Sequence, residues 1–315
     1  MATLYVDHRD SELRAEGRAI ALYRGEERIR TVPVALLDRV VIVGTARFDS
    51  TVLGVLAAGN VVLAVCSARD PRRWGIFTGP MHGDARIRIA QARVFLDRRL
   101  RLEVARTILH GKLVRYRRFL RQALRQRADA RYRIQPALDT LQGALEQLPG
   151  ITSLERLRGL EGSTAHACFS AYAALVPSEL GFRQRMRRPP PDPVNALLSL
   201  TYTLLHARAH AILHGAGIDP AVGMLHDPSH GRASAAADLV ELWRAHADAW
   251  VWRLLAKREI RREHFRDDGF SCLLAKPGRR KFYVLFENWA RHVDRAMRRQ
   301  VRHAVRFLRG VYHGG

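Results

Sequence analysis

The sequence predicts an α+β protein, with a small β-rich N-terminal domain at residues 1–84 and a larger all-α domain at residues 85–315. Two observations support this. Short runs of β-branched and aromatic residues fill the chain up to about Gly83. Beyond Gly83 the apolar residues recur at three- and four-residue steps, which is the spacing of amphipathic helices.

Strands are predicted first, because each apolar run before Gly83 is short and ends at a turn-forming residue. The predicted strands are TLYVD, AIALY, RIRTVPV, RVVIVG, VVLAVCS and WGIFTG. One helix, DSTVLGVLAAGN, is predicted between the fourth and fifth of them. These elements make the first domain β-rich.

Helices are predicted from residue 85 onward. The first apolar stripe consists of Ile89, Ala92, Leu96, Leu100, Val104, Ile108 and Leu109. Breaks are expected at Leu148-Pro-Gly150, at RMRRPPPDPVN and at HGAGIDPAVGMLH, and a long helix is expected to open at Asp192-Pro193 and end at Gly215. Ser234 is the predicted N-cap of a further helix, because its hydroxyl can accept a backbone N–H bond.

Composition favours a globular protein that binds a polyanion. The 315 residues are 47% hydrophobic, which is too apolar for a disordered chain. They carry 53 Lys+Arg against 30 Asp+Glu, a net charge of +23, and Arg forks match phosphate oxygens. Nucleic acid is therefore the leading partner class. A general excess of Arg on exposed surface, with no polyanion bound, remains the alternative.

Three scattered cysteines support neither a disulfide framework nor a CxxC zinc site, so a reducing cytoplasm is expected. The N-terminus lacks a basic and apolar signal pattern, and no apolar run approaches eighteen residues. Secretion and membrane insertion are therefore not expected.

The stretch GMLHDPSHGRASAAADLVELWR sets His226 against two acids, Asp238 and Glu241, that lie three apart on one helical face. A second acid-bearing segment, LRGLEG, places Glu161 before a helix rich in alanine. Acids near a helix N-terminus are also favoured by the helix dipole alone. From these residues alone, a metal site and an ordinary structural role both remain open.

The ordered set LRGLEG, DPVNALLS, AGIDPAVGMLH and GRASAAADLVE resembles one family, CRISPR-associated protein one, the integrase that inserts new spacers during CRISPR adaptation. The resemblance implies a helical catalytic domain in which Glu161, His226 and Asp238 are catalytic residues and metal ligands, with Glu241 as an accessory ligand. It also implies a homodimer formed through the β-rich domains, assembled with the small CRISPR adaptation subunit. Carboxylates with one imidazole suit Mg²⁺ or Mn²⁺.

The activity implied is attack by the 3′-hydroxyl of a double-stranded spacer precursor on a phosphodiester of the CRISPR repeat. The same ligands would serve hydrolysis, so they do not separate integrase from nuclease. Two alternatives stay open: a non-catalytic basic DNA-binding scaffold, and an RNA-processing nuclease.

Basic residues beside these segments are candidate DNA contacts. The loop FRQRMRRPPPDP and the helix GKLVRYRRFLRQALRQR supply phosphate-binding candidates that would not read base sequence. They are Arg183, Arg185, Arg187, Arg188, Lys112 and Arg115. Taken singly, each is also typical of a solvated face.

Overall fold

The structure is a computed structural model that describes residues 2–8, 10–66, 74–186, 189–229, 232–267 and 269–314. It has a strand-rich N-terminal region followed by a helix-rich part, so the predicted fold class is confirmed. The chain divides into two compact units. The first comprises Met1–Asp84 with His214–Gly217, and the second comprises Ala85–Leu213 with Ile218–Gly315.

Two four-stranded sheets and one helix form the first unit. The first sheet has the order β1-β5-β7-β8, with parallel pairs except at β7–β8. The second has the order β4-β3-β2-β6. The elements are β1 (Ala2–Val6), β2 (Ser11–Glu16), β3 (Ala19–Arg24), β4 (Glu27–Pro33), β5 (Leu37–Val43), β6 (Ala46–Phe48), α1 (Ser50–Ala58), β7 (Val62–Cys66) and β8 (Trp74–Phe77).

The core of this unit lies between the sheets and α1. Strand residues of both sheets, among them Leu4, Leu13 and Ile20, are buried with Val52 and Leu56 of α1. Asp49 caps α1 by accepting from the amides of Thr51 and Val52. All six predicted strands and the predicted helix are present.

Helices build the second unit, together with one two-stranded antiparallel sheet. They are α2 (Ala85–Leu96), α3 (Arg98–Gln126), α4 (Arg131–Gln147), α5 (Leu154–Leu175), α6 (Pro193–Gly215), α7 (Ser234–Glu241), α8 (Arg244–Ala256) and α9 (Lys276–His313), and the strands are β9 (Phe265–Asp267) and β10 (Cys272–Leu274). The long helix predicted to end at Gly215 is α6.

The first helical stripe was predicted with the wrong phase in α2, although its last member, Leu109 of α3, is buried. Ile89 and Leu96 are exposed, at 48% and 76%, while Ile87, Ala90 and Val94 face the core. The predicted continuous helix also ends at Leu96, because Asp97 accepts from the amides of Arg99 and Leu100 and starts a new helix. The cap at Asp97 therefore separates α2 from α3, although the spacing of apolar residues continues across it.

No helix within the described residues is long and apolar enough to cross a membrane. The three cysteines are free thiols; Cys168 and Cys272 are buried and Cys66 is half-buried.

Candidate active site

One buried carboxylate fastens the loop between α6 and α7. Asp238 Oδ2 accepts hydrogen bonds from the backbone amides of Met224 at 2.6 Å and Leu225 at 3.0 Å. Its Oδ1 accepts from the backbone N–H of His226 at 3.1 Å. Bonds to an ionised acceptor are stronger than neutral ones. Asp238 therefore sets the path of the loop that carries His226.

The His226 ring bonds to the same carboxylate, with Nδ1 at 2.7 Å from Asp238 Oδ1. A carboxylate can only accept, so Nδ1 carries the proton in this contact. In the neutral ring the lone pair then lies on Nε2. A histidine that donates from one nitrogen to a carboxylate and presents the other is the usual arrangement of a metal-binding imidazole.

Close approach of the loop to α7 requires glycine at position 223. A Cβ added there would lie 2.7 Å from the backbone carbon of Ser234 and 2.8 Å from the carbonyl oxygen of His226. Ser234 is the first residue of α7, and no side chain caps this helix. The predicted N-cap role of Ser234 is therefore wrong. Its hydroxyl donates instead to the carbonyl of Asp227 at 2.7 Å, which ties the loop to the helix.

Two arginines from α3 and α5 hold the loop from the other side. Arg158 donates to the carbonyl of Leu225 at 2.8 Å and pairs with Asp227 at 2.6 Å. Arg101 donates to the carbonyl of Met224 at 3.1 Å and also pairs with Asp227. Neither arginine was predicted at the site, because their partners lie on a loop distant in sequence.

A buried lysine joins two glutamates from different helices. The Lys112 ammonium of α3 contacts Glu161 Oε1 of α5 and lies 2.6 Å from Glu241 Oε2 of α7. The Lys112 and Glu241 side chains are 2% and 3% exposed, whereas Glu161 is 24% exposed. The three side chains therefore form a charged cluster that opens to solvent on the Glu161 side.

Glu241 has a second cationic partner. Arg244 Nε donates to Glu241 Oε1 at 2.7 Å. Burial alone would raise the pKa of Glu241, but the charges of Arg244 and Lys112 outweigh it and hold that pKa well below its ordinary value. The charge of His226 acts in the same direction, so His226 and Glu241 are electrostatic neighbours.

Donor chemistry at this cluster suits a divalent cation. Among the described residues, Glu241 Oε2 is a buried oxygen with no hydrogen bond of good geometry, and Lys112 forms an ion pair with it at 2.6 Å. Two carboxylates and one imidazole form an oxygen-rich donor set. Within the described part of the chain, however, no group of three or more His, Cys, Asp or Glu side chains is placed to hold a metal ion.

A tyrosine cluster supports α8 behind these residues. Tyr116 donates to Asp248 Oδ2 at 2.6 Å, Tyr202 bonds to Oδ1, and Tyr172 donates to the Asp248 carbonyl at 3.0 Å. The Arg244 guanidinium lies 4.5 Å from the centre of the Tyr202 ring. No local sequence pattern indicates this cluster, since its members lie on four separate helices.

Comparison with known proteins identifies the family. A family model described as CRISPR associated protein Cas1 matches residues 4–288. The chain belongs to the Cas1 family. This confirms the resemblance inferred from the four ordered motifs, two of which carry Glu161 and His226 and a third Asp238 and Glu241.

One similar relative is a protein named CRISPR-associated endonuclease Cas1 1 from Thermodesulfovibrio yellowstonii. It is 34% identical over 298 residues, which are 92% of this chain and 91% of the relative. At this identity and coverage the Cas1 likeness extends over both units.

Solved structures share the fold. A Cas1 protein from Thermotoga maritima is 20% identical with a TM-score of 0.86, covering 98% of this chain and 97% of its own. A casposase bound to integration product is 21% identical with a TM-score of 0.82, covering 97% and 91%. A Cas6-RT-Cas1–Cas2 complex contains a chain that is 20% identical with a TM-score of 0.85, covering 98% of this chain and 35% of that one.

The six predicted DNA contacts of this Cas1-family chain have different surroundings. Arg183 is exposed. Arg185 is half-buried and donates to Asn195 Oδ1 at 2.8 Å and Ser199 Oγ at 3.0 Å. Arg115 is half-buried and donates to the Gly111 carbonyl at 2.7 Å. Arg187 and Arg188 lie outside the described residues.

Lys112 differs most from its predicted role. The helical pattern predicted an exposed phosphate contact, yet its side chain is buried against two acids. The alternative of a solvated basic face does not hold at this position, and the phosphate contact predicted for Lys112 stays a prediction. The sequence separation of 49 residues from Glu161 explains why no local pattern indicated the pair.

Proposed function

We propose that this protein is a metal-dependent DNA endonuclease and integrase of CRISPR adaptation. The observation that carries the proposal is the meeting of Glu161 and Glu241, from two helices, beside a histidine oriented by Asp238. The names of the similar proteins, an endonuclease and a casposase with integration product, support the same class of chemistry.

Glu161, His226 and Glu241 are proposed as the residues that hold a Mg²⁺ or Mn²⁺ ion. Asp238 was the predicted third ligand, with Glu241 accessory. The contacts favour the reverse assignment, because Asp238 already accepts three backbone amides and the His226 ring. Glu241 Oε2 accepts no hydrogen bond from a described residue. We therefore assign Asp238 the positioning of His226 and of the loop.

Strand transfer is a phosphodiester exchange. The 3′-hydroxyl of a spacer precursor forms a new bond to phosphorus in the repeat, and the 3′-oxygen of the cut repeat strand leaves. A bound divalent ion supplies charge stabilisation on the phosphate oxygens. The protein's share is to keep the carboxylates ionised, to orient the imidazole and to hold the DNA in line. The pairing of Glu241 with Arg244 serves the first of these tasks.

Double-stranded DNA is the proposed substrate, as spacer precursor and as CRISPR repeat. The net charge of +23 and the exposed Arg183 support it. The small adaptation subunit is the proposed partner, in line with the structurally similar chain of the Cas6-RT-Cas1–Cas2 complex. Homodimer formation through the β-rich N-terminal region remains part of the proposal.

One observation favours the alternative of a non-catalytic DNA-binding scaffold. Glu161 and Glu241 both pair with Lys112, which is the arrangement of a structural ion-pair cluster. A scaffold would bind DNA without joining or cutting it in any metal. An RNA-processing nuclease would instead prefer RNA over a DNA duplex of the same sequence.

The test mixes purified protein, with and without the small subunit, with a labelled 3′-hydroxyl duplex and a plasmid that carries the repeat. Reactions contain Mn²⁺, Mg²⁺ or EDTA and use wild type and His226→Ala. We expect joined product that requires both the metal and His226. Tight DNA binding with no joining or cleavage in any metal would favour the scaffold.

A further inference from the structure

We propose that Lys112 is an internal counter-cation that competes with the divalent metal for Glu161 and Glu241 and is released when the metal binds. This inference rests on the proposed metal site. It concerns a residue that holds the two carboxylates together in the metal-free protein, as an ammonium group in contact with both.

Burial supports a stabilising role for Lys112 without metal. Its side chain is 2% exposed, and Glu241 is 3% exposed. Without Lys112, the partly exposed carboxylate of Glu161 and the buried carboxylate of Glu241 would repel each other, with Arg244 left as the cationic partner of Glu241. Among the described residues no ion pair of Glu161 other than the one with Lys112 is seen. Lys112 therefore compensates both acids at once.

The contact with Glu241 is incomplete as a permanent structural bond. Lys112 Nζ lies 2.6 Å from Oε2, yet this oxygen accepts no hydrogen bond from the described residues. A buried ion pair stabilises well only when good geometry and hydrogen bonds satisfy both partners. The oxygen is thus held mainly by the charge of Lys112, and a divalent ion supplies more charge than an ammonium group.

Residue choice points the same way. The chain has only four lysines, at positions 112, 257, 276 and 281, among 53 basic residues. Lys112 is buried, whereas Lys257, Lys276 and Lys281 are exposed. An arginine fork would bind a carboxylate bidentately, while an ammonium is a compact point charge on a flexible stem. Lysine therefore stands where a small, displaceable cation is required.

Competition follows from charge. The ammonium and a divalent ion would draw on the same carboxylate oxygens, and two cations at that separation repel. Binding free energies are reciprocal. If a bound metal ion weakens the contact of the Lys112 ammonium with the carboxylates by some factor, the ammonium must weaken metal binding by the same factor. Removing the charge of Lys112 should weaken the metal-free fold and strengthen metal binding, two effects of opposite sign.

The experiment compares wild type, Lys112→Met and Lys112→Arg in full-length protein. Thermal unfolding is followed in EDTA and in Mn²⁺, and the Mn²⁺ affinity is measured from the free-ion electron paramagnetic resonance signal. We expect Lys112→Met to unfold at a lower temperature in EDTA and to bind Mn²⁺ about tenfold more tightly than wild type. Lys112→Arg keeps the charge and should bind no more tightly than wild type.

Equal or weaker Mn²⁺ binding by folded Lys112→Met would overturn the inference and make Lys112 a permanent structural partner. Absence of Mn²⁺ binding in every variant would overturn it together with the proposed metal site. Tighter binding by Lys112→Met, with no DNA joining by wild type, would keep the inference and remove the integrase assignment.

Should Lys112→Met not fold, wild type decides the question by amine acylation and mass spectrometry. The three exposed lysines are internal references. We expect Lys112 to be protected in EDTA and to react severalfold faster in saturating Mn²⁺ relative to those references. Equal protection in both conditions would overturn the inference.

Discussion

The two halves of the candidate site are held in different ways. The Asp238 carboxylate accepts hydrogen bonds from three backbone amides of the loop and from His226 Nδ1, at donor–acceptor distances between 2.6 and 3.1 Å. Glu161 and Glu241 are held by cationic side chains: Lys112 contacts both, and Arg244 also donates to Glu241 Oε1. Glu241 Oε2 has no hydrogen bond of good geometry to a described residue. The first half is fixed mainly by backbone amides of its own loop and the second by the cationic groups of two side chains, so the first orients His226 and the second can exchange the Lys112 cation.

The largest expected effect comes from the charge-held half. Glu161→Gln should reduce DNA joining to background while changing the free energy of unfolding by only about 0.5 kcal/mol, since Glu161 is partly exposed and glutamine can still accept from Lys112. Joining assays and urea denaturation measure the two quantities. Glu155→Gln, an exposed acid on the same helix, is the matched control. Joining at the wild-type level would exclude Glu161 as a metal ligand.

Asp238→Asn should affect both folding and metal binding. An amide nitrogen cannot accept the loop amides, so we expect a loss of about 2–3 kcal/mol in unfolding free energy. Loss of the carboxylate behind His226 should weaken Mn²⁺ binding by roughly 10–100-fold. Denaturation and Mn²⁺ titration test this, with the exposed Asp139→Asn as control. An unfolding free energy of Asp238→Asn equal to that of wild type would show that the bonds of Asp238 to the loop amides do not stabilise the protein.

Asp248 offers a third kind of buried carboxylate. Burial raises its pKa, against the opposing hydrogen bonds of Tyr116 and Tyr202 and the charge of Arg244. Because the pKa of Asp248 is higher in the folded protein than in the unfolded chain, its protonated form stabilises the fold. This stabilisation is complete below pH 3.8, the ordinary pKa of the group, and is lost as the pH rises through the pKa of the folded protein. Asp248→Asn removes this dependence. The free energy of unfolding of Asp248→Asn, relative to that of wild type, should therefore increase from pH 4 to pH 7. Denaturation at several pH values in this range measures it.

A constant stability difference between Asp248→Asn and wild type at all these pH values would contradict that prediction. It would mean that the tyrosine hydroxyls stabilise the ionised carboxylate as fully as water does. Asp248 would then resemble Asp238, and burial alone would not distinguish the carboxylates of this protein.

Sequence patterns predicted the elements of this fold better than their faces and ends. The β-branched runs became strands, but SELRAE was missed because charged residues surround its fully buried Leu13. The stripe through Ile89 had the wrong phase in α2, the cap at Asp97 was not predicted, and the cap predicted at Ser234 is absent. Local periodicity records which residues are apolar, whereas tertiary packing selects the face that is buried.

The sequence motifs located the residues of the site but did not predict which of them are metal ligands and which one positions His226. Asp238 and Glu241 are three residues apart on one short helix, and sequence gives no reason to prefer either as a ligand. The preference arises from Met224 and Leu225, whose amides reach Asp238 only after the loop folds back. Lys112 was hidden for the same reason, since its acidic partners lie on other helices.

The smallest expected effect concerns DNA binding, which should not distinguish the two halves. Arg183 is exposed, whereas Arg185 is bonded to Asn195 and Ser199. Arg183→Glu should weaken duplex binding and reduce the slope of log affinity against log salt by about one. The metal affinity should not change, because Arg183 forms no hydrogen bond or ion pair with Asp238 or Lys112 within the described residues. Fluorescence anisotropy at several salt concentrations measures the slope, with the exposed Arg133→Glu as control. A slope equal to that of wild type would make Arg183 a solvated surface residue and would leave the phosphate contacts to other basic residues of the chain.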